Sequence, residues 1–492
     1  MSLADVQTLL LRPTRAAGVA HLVLQVGLGR GGEALRLLSR LLQEDRAPKF
    51  QSHVLASPEP NFPLNCGPQA PPADRFQCSL GFTWRGLEAL GLPAPYLRVF
   101  SRLAPAFAQG AALRGARLGD SGASAPALWH PAFGLEAAHV LLTLHGPNDA
   151  VQTAATSIEA LWTGAGPPRP HDDPTALICV GRWHGARLGA PTSQHEGEWV
   201  HFGYRDGLTD RRIEGVLPSP HKLPIVTTHR RGEFLLGHAN DSGFNTFGLP
   251  LAPEVVRNFF QDGSFGVLRP IQQDVRAFEQ AVARWRDQAQ AALGTDVSTD
   301  WIKAKLCGRW PSGERLRPDQ LRPQPGDFEV DFEGDSAGTG CPWAAHVRRM
   351  RSGGHEGDAH QRGRHILRRG TPFGDAVWNG TQPDQPRGLL GLFFCASLED
   401  QFEHLLGQWA NRRPLGAPDP STAKDPLAGQ HEDENASMQI ALGDGAPPLS
   451  LTGFAPWTQA LGTLYAWHPS RAAVQRILSQ DYVEPDTEGP WL

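Results

Sequence analysis

The feature that most constrains this chain is a recurring pair of segments. A short apolar run comes first, and a stretch with apolar residues at helical spacing follows. AHLVLQVG (20–27) precedes GEALRLLSRLL (32–42), whose leucines fall at 35, 37, 38, 41 and 42. CSLGFTWRGLEALGLP (78–93) and AAHVLLTLHGPNDAVQTAATSIEALW (137–162) repeat the order, and residues 97–120 read as helix broken at Pro105. After residue 260 it returns at 262–286, 388–410 and 461–478. Short runs between turn residues read as strands, and the longer periodic stretches as helices. The first part therefore follows a β-α-β-β-α-β-like order, and the chain as a whole reads as two related α+β halves.

The chain has 492 residues, which predicts two or three domains at ~100–200 residues each. Residues 165–174, 311–340 and 411–448 are rich in turn-forming residues and read as loops; the last two are long enough to be functional. The net charge of −5 carries no basic excess, which argues against nucleic acid as a partner. The six cysteines (66, 78, 179, 307, 341, 395) show no CxxC pairing, against a zinc ribbon and a dense disulfide framework. No leader pattern, twin-arginine pair or membrane-length apolar run is visible, so a cytoplasmic protein with reduced thiols is expected. A homo-oligomer is compatible with this pattern, and nothing specifies one.

Two stretches carry chemistry. In the first, Cys341–Gly374, His346 lies among Trp343, Ala344, Ala345 and Val347. Such a histidine is mostly buried, and its two ring nitrogens need partners. A haem iron or other metal is one such partner, and a hydrogen-bonded core is the other reading. The second stretch is VHFGYRDGLTD (200–210), where Asp206 stands between Gly203 and Gly207. An Asp-Gly pair is an ordinary turn, and a carboxylate there can also serve as a base. A zinc site from His355, Asp358, His360 and His365 is weakened by its loose spacing on a Gly-rich loop.

Taken together, the box Gly203-Tyr204-Arg205-Asp206-Gly207, the segment CPWAAHVRR (341–349) and the segment ILRRGTPFG (366–374) resemble the signature motifs of the dye-decolorizing peroxidases. The resemblance implies an α+β fold of two ferredoxin-like domains, each an antiparallel sheet with helices packed on it, and GEFLLGH (232–238) resembles one of the family's strands. They would span 1–215 and 216–492, with the second holding one haem b. It implies a peroxidase that reduces hydrogen peroxide to water through an oxo-iron(IV) porphyrin radical and oxidises organic one-electron donors such as dyes and phenolics. His346 would be the axial iron ligand and Asp206 the proton acceptor. Arg368 would be the distal cation, and Arg348 would hold a haem propionate. Gly203 and Gly207 would permit close approach of backbone to the macrocycle. Of Glu399, Asp400 and Glu403, Glu399 is the expected carboxylate partner of His346. The same pocket would also serve a haem-binding protein for storage, delivery or iron release. The chain departs from the family pattern at Arg351-Ser352-Gly353-Gly354, where the family often has Asn-Pro-Arg, and at Tyr204 in place of phenylalanine. Gly391 stands near a position commonly filled by phenylalanine, and a glycine there is expected to widen the pocket.

Overall fold

The structure is a computed structural model. It describes residues 3–11, 16–43, 77–162, 175–191, 197–216, 223–249, 253–351, 364–376, 385–412 and 421–483, apart from 319, 331, 333, 434 and 444. Eight strands form the backbone of one large sheet: β1 (Gly18–Val26), β2 (Gln77–Phe82), β3 (Val140–Gly146), β4 (Leu177–Ala186), β5 (Ser264–Gln273), β6 (Leu367–Arg368), β7 (Gly388–Cys395) and β8 (Leu464–His468). Their spatial order is β6-β7-β5-β8-β2-β3-β1-β4. Within each set of four, the order is second, third, first, fourth. The periodic stretches fall where expected. Helix α1 (Gly31–Gln43) follows β1, α2 (Asn148–Trp162) follows β3, and α3 (Val275–Leu293) follows β5. The π-helical segments Leu398–Glu403 and Leu405–Ala410 follow β7. The two ferredoxin-like halves thus repeat one topology and share one sheet.

Local chemistry sets the ends of these elements. Asp274 caps α3 by accepting from the Ala277 N–H at 2.9 Å, and Gly294 ends it with φ 64°. Phe278, Ala281, Val282, Trp285 and Ala289 form its buried stripe. Helix α4 (Thr299–Cys307) begins at a Ser298 cap and stops at Gly308, φ 89°. The halves meet where β8 pairs with β2 at Trp467↔Phe82. Trp467 also stands opposite Phe265 of β5, and all three rings are fully buried. Burying each such side chain contributes ~1.5–3 kcal/mol.

Two expectations change. Residues 232–238 are not a strand: Arg231–Glu233 is a single 3-10 turn, with Leu235 N–H returning to Arg231 O at 2.8 Å. A Cβ on Gly232 would sit 2.3 Å from the carbonyl of His238, so the chain folds back on itself there. The described part of 411–448 is packed rather than a surface loop. Ser437–Ile440 pairs with Leu449–Thr452, and Met438 and Ile440 are fully buried. Strand alternation is present in those four residues but is masked by their Pro-, Asp- and Gly-rich flanks. The expected domain boundary at 215/216 falls between Thr209–Ile213 and Ile225–His229, which pair in parallel with each other.

An ion pair also ties the halves together. Arg269 of β5 donates to Asp120 in the β2–β3 connection, with Nη1 2.8 Å from Oδ2, and the Asp120 side chain is wholly buried. Asp120→Ala leaves a buried guanidinium without its partner and is expected to cost ~3–5 kcal/mol. The double variant Asp120→Leu/Arg269→Met is expected to recover most of that loss in chemical denaturation. A single variant as stable as the parent would mean that the pair contributes nothing to the junction.

Candidate active site

His346 opens the short helix α5 (His346–Arg349). The turn before it closes through Ala345 N–H to Pro342 O at 3.0 Å. Arg349 anchors α5 by donating to Ala344 O at 3.0 Å, Trp409 O at 3.0 Å and Arg412 O at 2.7 Å. His346 Nδ1 donates to Asp425 Oδ2 at 2.8 Å. The Asp425 side chain is wholly buried, and its other oxygen accepts from the Leu427 and Ala428 N–H groups at 2.9 and 3.0 Å. Burial works against its charge, but His346, Arg349 and the Leu427 N–H outweigh burial and hold its pKa below the ordinary carboxylate value. The imidazole is therefore fixed in orientation and tautomer. Its Nε2 has no protein hydrogen-bond partner among the described residues, and the side chain is 27% exposed.

Asp425, not Glu399, is the carboxylate on His346. Glu399 accepts from the Ala106 N–H at 2.6 Å. Asp400 accepts from the Ser397 hydroxyl at 3.0 Å, and Glu403 binds Arg114 and the Tyr465 hydroxyl. All three acids after β7 are thus engaged elsewhere. Arg348 is also not available to a cofactor. It is 1% exposed and donates to Cys341 O at 2.6 Å and Asp335 O at 2.8 Å. Its guanidinium lies 4.2 Å from the Trp343 ring centroid. Two residues along a helix is more than half a turn, so Arg348 points away from His346.

The aspartate box forms a hairpin in which Tyr204–Asp206 pairs with Glu198–Val200. Gly203 and Gly207 adopt φ 78° and 70°, a region glycine enters without strain. A Cβ at Gly207 would meet nothing within 4 Å, so this backbone faces open space. Tyr204 donates to Lys303 O of α4 at 2.9 Å, and the Arg205 N–H donates to Pro311 O at 2.7 Å. His201 Nε2 bonds Phe373 O at 2.7 Å, which ties the box to the segment that carries Arg368. Asp206 is exposed, and its carboxylate has no protein partner among the described residues.

Arg368, on β6, stands across from Phe393 of β7. Its guanidinium is exposed and has no hydrogen-bond partner among the described residues. Arg369 diverges from it and holds Leu9 O at 2.9 Å and Leu10 O at 3.1 Å. Arg368 and Asp425 are both within electrostatic reach of the Cys307 thiol at the end of α4. Gly391 does not widen the pocket. A Cβ there would lie 2.7 Å from the Phe393 ring, which already fills that space beside Arg368.

A cavity of about 560 Å³ opens between these segments, within the ~300–1,000 Å³ typical of cofactor and ligand sites. Its lining includes Arg211, His229, Met350, Arg351, Arg364 and Trp409. It is thus walled by residues just after the aspartate box, just after His346 and just before Arg368. Sequence reasoning missed Arg211 and Asp425. The available signal for Asp425 was an acid set between Ala423 and Leu427. Burial, with Arg368 and Arg351 nearby, lowers the Arg211 pKa to about 10, an excess of positive charge that favours an anionic ligand. The residues present fit haem: an oriented imidazole with a free nitrogen, a roomy cavity, and arginines for two carboxylates. His355, Asp358 and His360 lie outside the described residues, and His365 lines the cavity.

A scan against protein-family models finds no match. The chain is 25% identical over 377 residues to the dye-decolorizing peroxidase msp1 of Mycetinis scorodonius, covering 71% of this chain and 68% of that one. It is 26% identical over 378 residues to the multifunctional dye peroxidase DyP2 of an Amycolatopsis strain, covering 71% of each. The solved structure of an ancestral D-type dye-decolorizing peroxidase superposes with a TM-score of 0.71 at 22% identity, covering 97% of this chain and 99% of that one. On these comparisons, the chain is similar to dye-decolorizing peroxidases over 71% of its length and shares their fold.

Proposed function

We propose that the protein is a haem peroxidase that reduces hydrogen peroxide to water and oxidises organic one-electron donors, dyes and phenolics among them. Similarity to the dye-decolorizing peroxidases implies a haem cofactor, one haem b per chain. The observation that carries it is the set of three unspent groups: His346 Nε2, the Asp206 carboxylate and the Arg368 guanidinium, the last two on segments joined by the His201–Phe373 bond. In a protein that only stores haem, an unpaired carboxylate and guanidinium beside the cofactor would have no task.

Bound haem would supply the iron and the two electrons that reduce peroxide, and the organic donors would return them one at a time. His346 would hold it through Nε2, and Asp425 would raise the basicity of the imidazole by accepting from Nδ1. Arg211, Arg351 and Arg364 would receive the carboxylates of the cofactor. The Asp206 carboxylate would take a proton from peroxide and return it to the oxygen that departs as water. Gly203 and Gly207 let the chain turn at positive φ on either side of the box. Arg368 keeps its charge throughout and stabilises the negative charge on the departing oxygen. Phe393 keeps that side apolar and limits water.

Stopped-flow spectroscopy tests the assignment. Asp206→Asn is expected to slow reaction with peroxide ~10²–10⁴-fold. Arg368→Leu is expected to slow it ~10²–10³-fold. Both should keep their haem. Parental rates in both variants would remove these residues from the chemistry.

The histidine's partner is tested separately. Asp425→Asn is expected to lower activity or haem affinity ~10–100-fold, while Glu399→Gln leaves both close to the parent. The reverse ranking would restore Glu399 as the partner.

A further inference from the structure

We propose that His229, Asp241 and His365 form a site for one divalent transition-metal ion on the cavity wall, apart from His346 and unused by the peroxidase reading. One ligand atom from each residue lies within 4.8 Å of the other two. Bonds of ~2.0–2.2 Å place two ligands of one ion up to ~4.4 Å apart, so small side-chain adjustments close the triad. Asp241 Oδ2 accepts a hydrogen bond from His229 Nδ1 at 2.7 Å, so an ion there takes the place of the shared proton. The rings of His229 and His365 have centroids 4.0 Å apart. Neither ring nitrogen of His365 has a hydrogen-bond partner among the described residues.

The backbone beneath the triad is fixed in advance. Glu233 is wholly buried. One of its oxygens accepts from the Asp241 N–H at 2.9 Å and the other from the His365 N–H at 3.3 Å. A single carboxylate thus fastens two ligating residues that are far apart in the chain. Gln401 holds the His365 carbonyl, and the Arg230 N–H holds the second oxygen of Asp241 at 2.8 Å. Such support is what a preformed metal site requires.

The charges nearby are Arg211, Arg351, Arg364 and Arg368 on the positive side, and Asp241 and Glu233 on the negative side. The two carboxylates offset part of that positive charge, and Asp241 stands directly at the site. His365 has both ring nitrogens open to an ion among the described residues, whereas His229 now bonds Asp241 and, at 3.2 Å, the Thr227 hydroxyl, and exchanges one of these bonds for the metal. Two imidazoles and one carboxylate, with positions open to a cavity, suit zinc, cobalt, nickel or ferrous iron rather than calcium or magnesium.

The test uses the full chain purified with haem, stripped of loose metal by a chelator, and titrated with Co²⁺ and with Zn²⁺. One equivalent of each is expected to bind, and Co²⁺ should give visible d–d bands of a mixed nitrogen and oxygen site. His365→Gln and Asp241→Asn should each weaken binding at least about tenfold. Circular dichroism checks that both variants fold, and the Soret band reads haem in the same samples. Failure of metal binding is therefore scored apart from failure of the haem assignment. No saturable binding of either ion, or binding unchanged in both variants, would overturn the proposal.

Discussion

The hydrogen bond from His346 to Asp425 is the constraint on which the candidate site depends. It consumes one nitrogen of the imidazole and leaves the other directed and free. A buried carboxylate on a histidine is costly unless its own oxygens are satisfied, and here two main-chain N–H groups satisfy them. Arg349 secures the helix that carries His346 to the segment before Asp425, through the carbonyls of Ala423 and Arg412. The orientation of one ring is thus set by packing that extends well beyond it.

The opposite side is built differently. The aspartate box rests on α4 and on the turn after it, whereas Arg368 projects from a two-residue strand at the edge of the large sheet. The His201–Phe373 bond joins them. Residues next to the aspartate box therefore line one cavity with residues next to His346 and Arg368, more than a hundred positions further along the chain. The repeated topology supplies the rigid frame, and the connections between its strands supply the chemistry. Arginines collected at the cavity without an equal number of carboxylates give it an affinity for anions.

Much of the fold was legible because its signals are local. The strand-then-helix order at 18–43, 137–162 and 262–286 needs only neighbouring residues to be read. The motif histidine, aspartate and arginine were legible for the same reason, since each sits in a compact motif. What escaped was long-range or hidden by helix geometry. Asp425 lies 79 positions from His346, in a stretch whose composition reads as loop. Glu399 was the natural expectation from its place after β7, but the π-helical segment turns it toward Ala106. Arg348 was close to His346 in sequence and points away in space. At Gly391, the missing side chain was visible, but the Phe393 ring that occupies its place was not.

The most direct test of the account is the absorption spectrum of full-length His346→Ala, produced with haem supplied, beside the parent protein. The account predicts a lost or much reduced Soret band in the variant, partly regained when imidazole is added to replace the missing side chain. A Soret band of parental position and intensity without imidazole would contradict it, because the iron would then be held by some other residue.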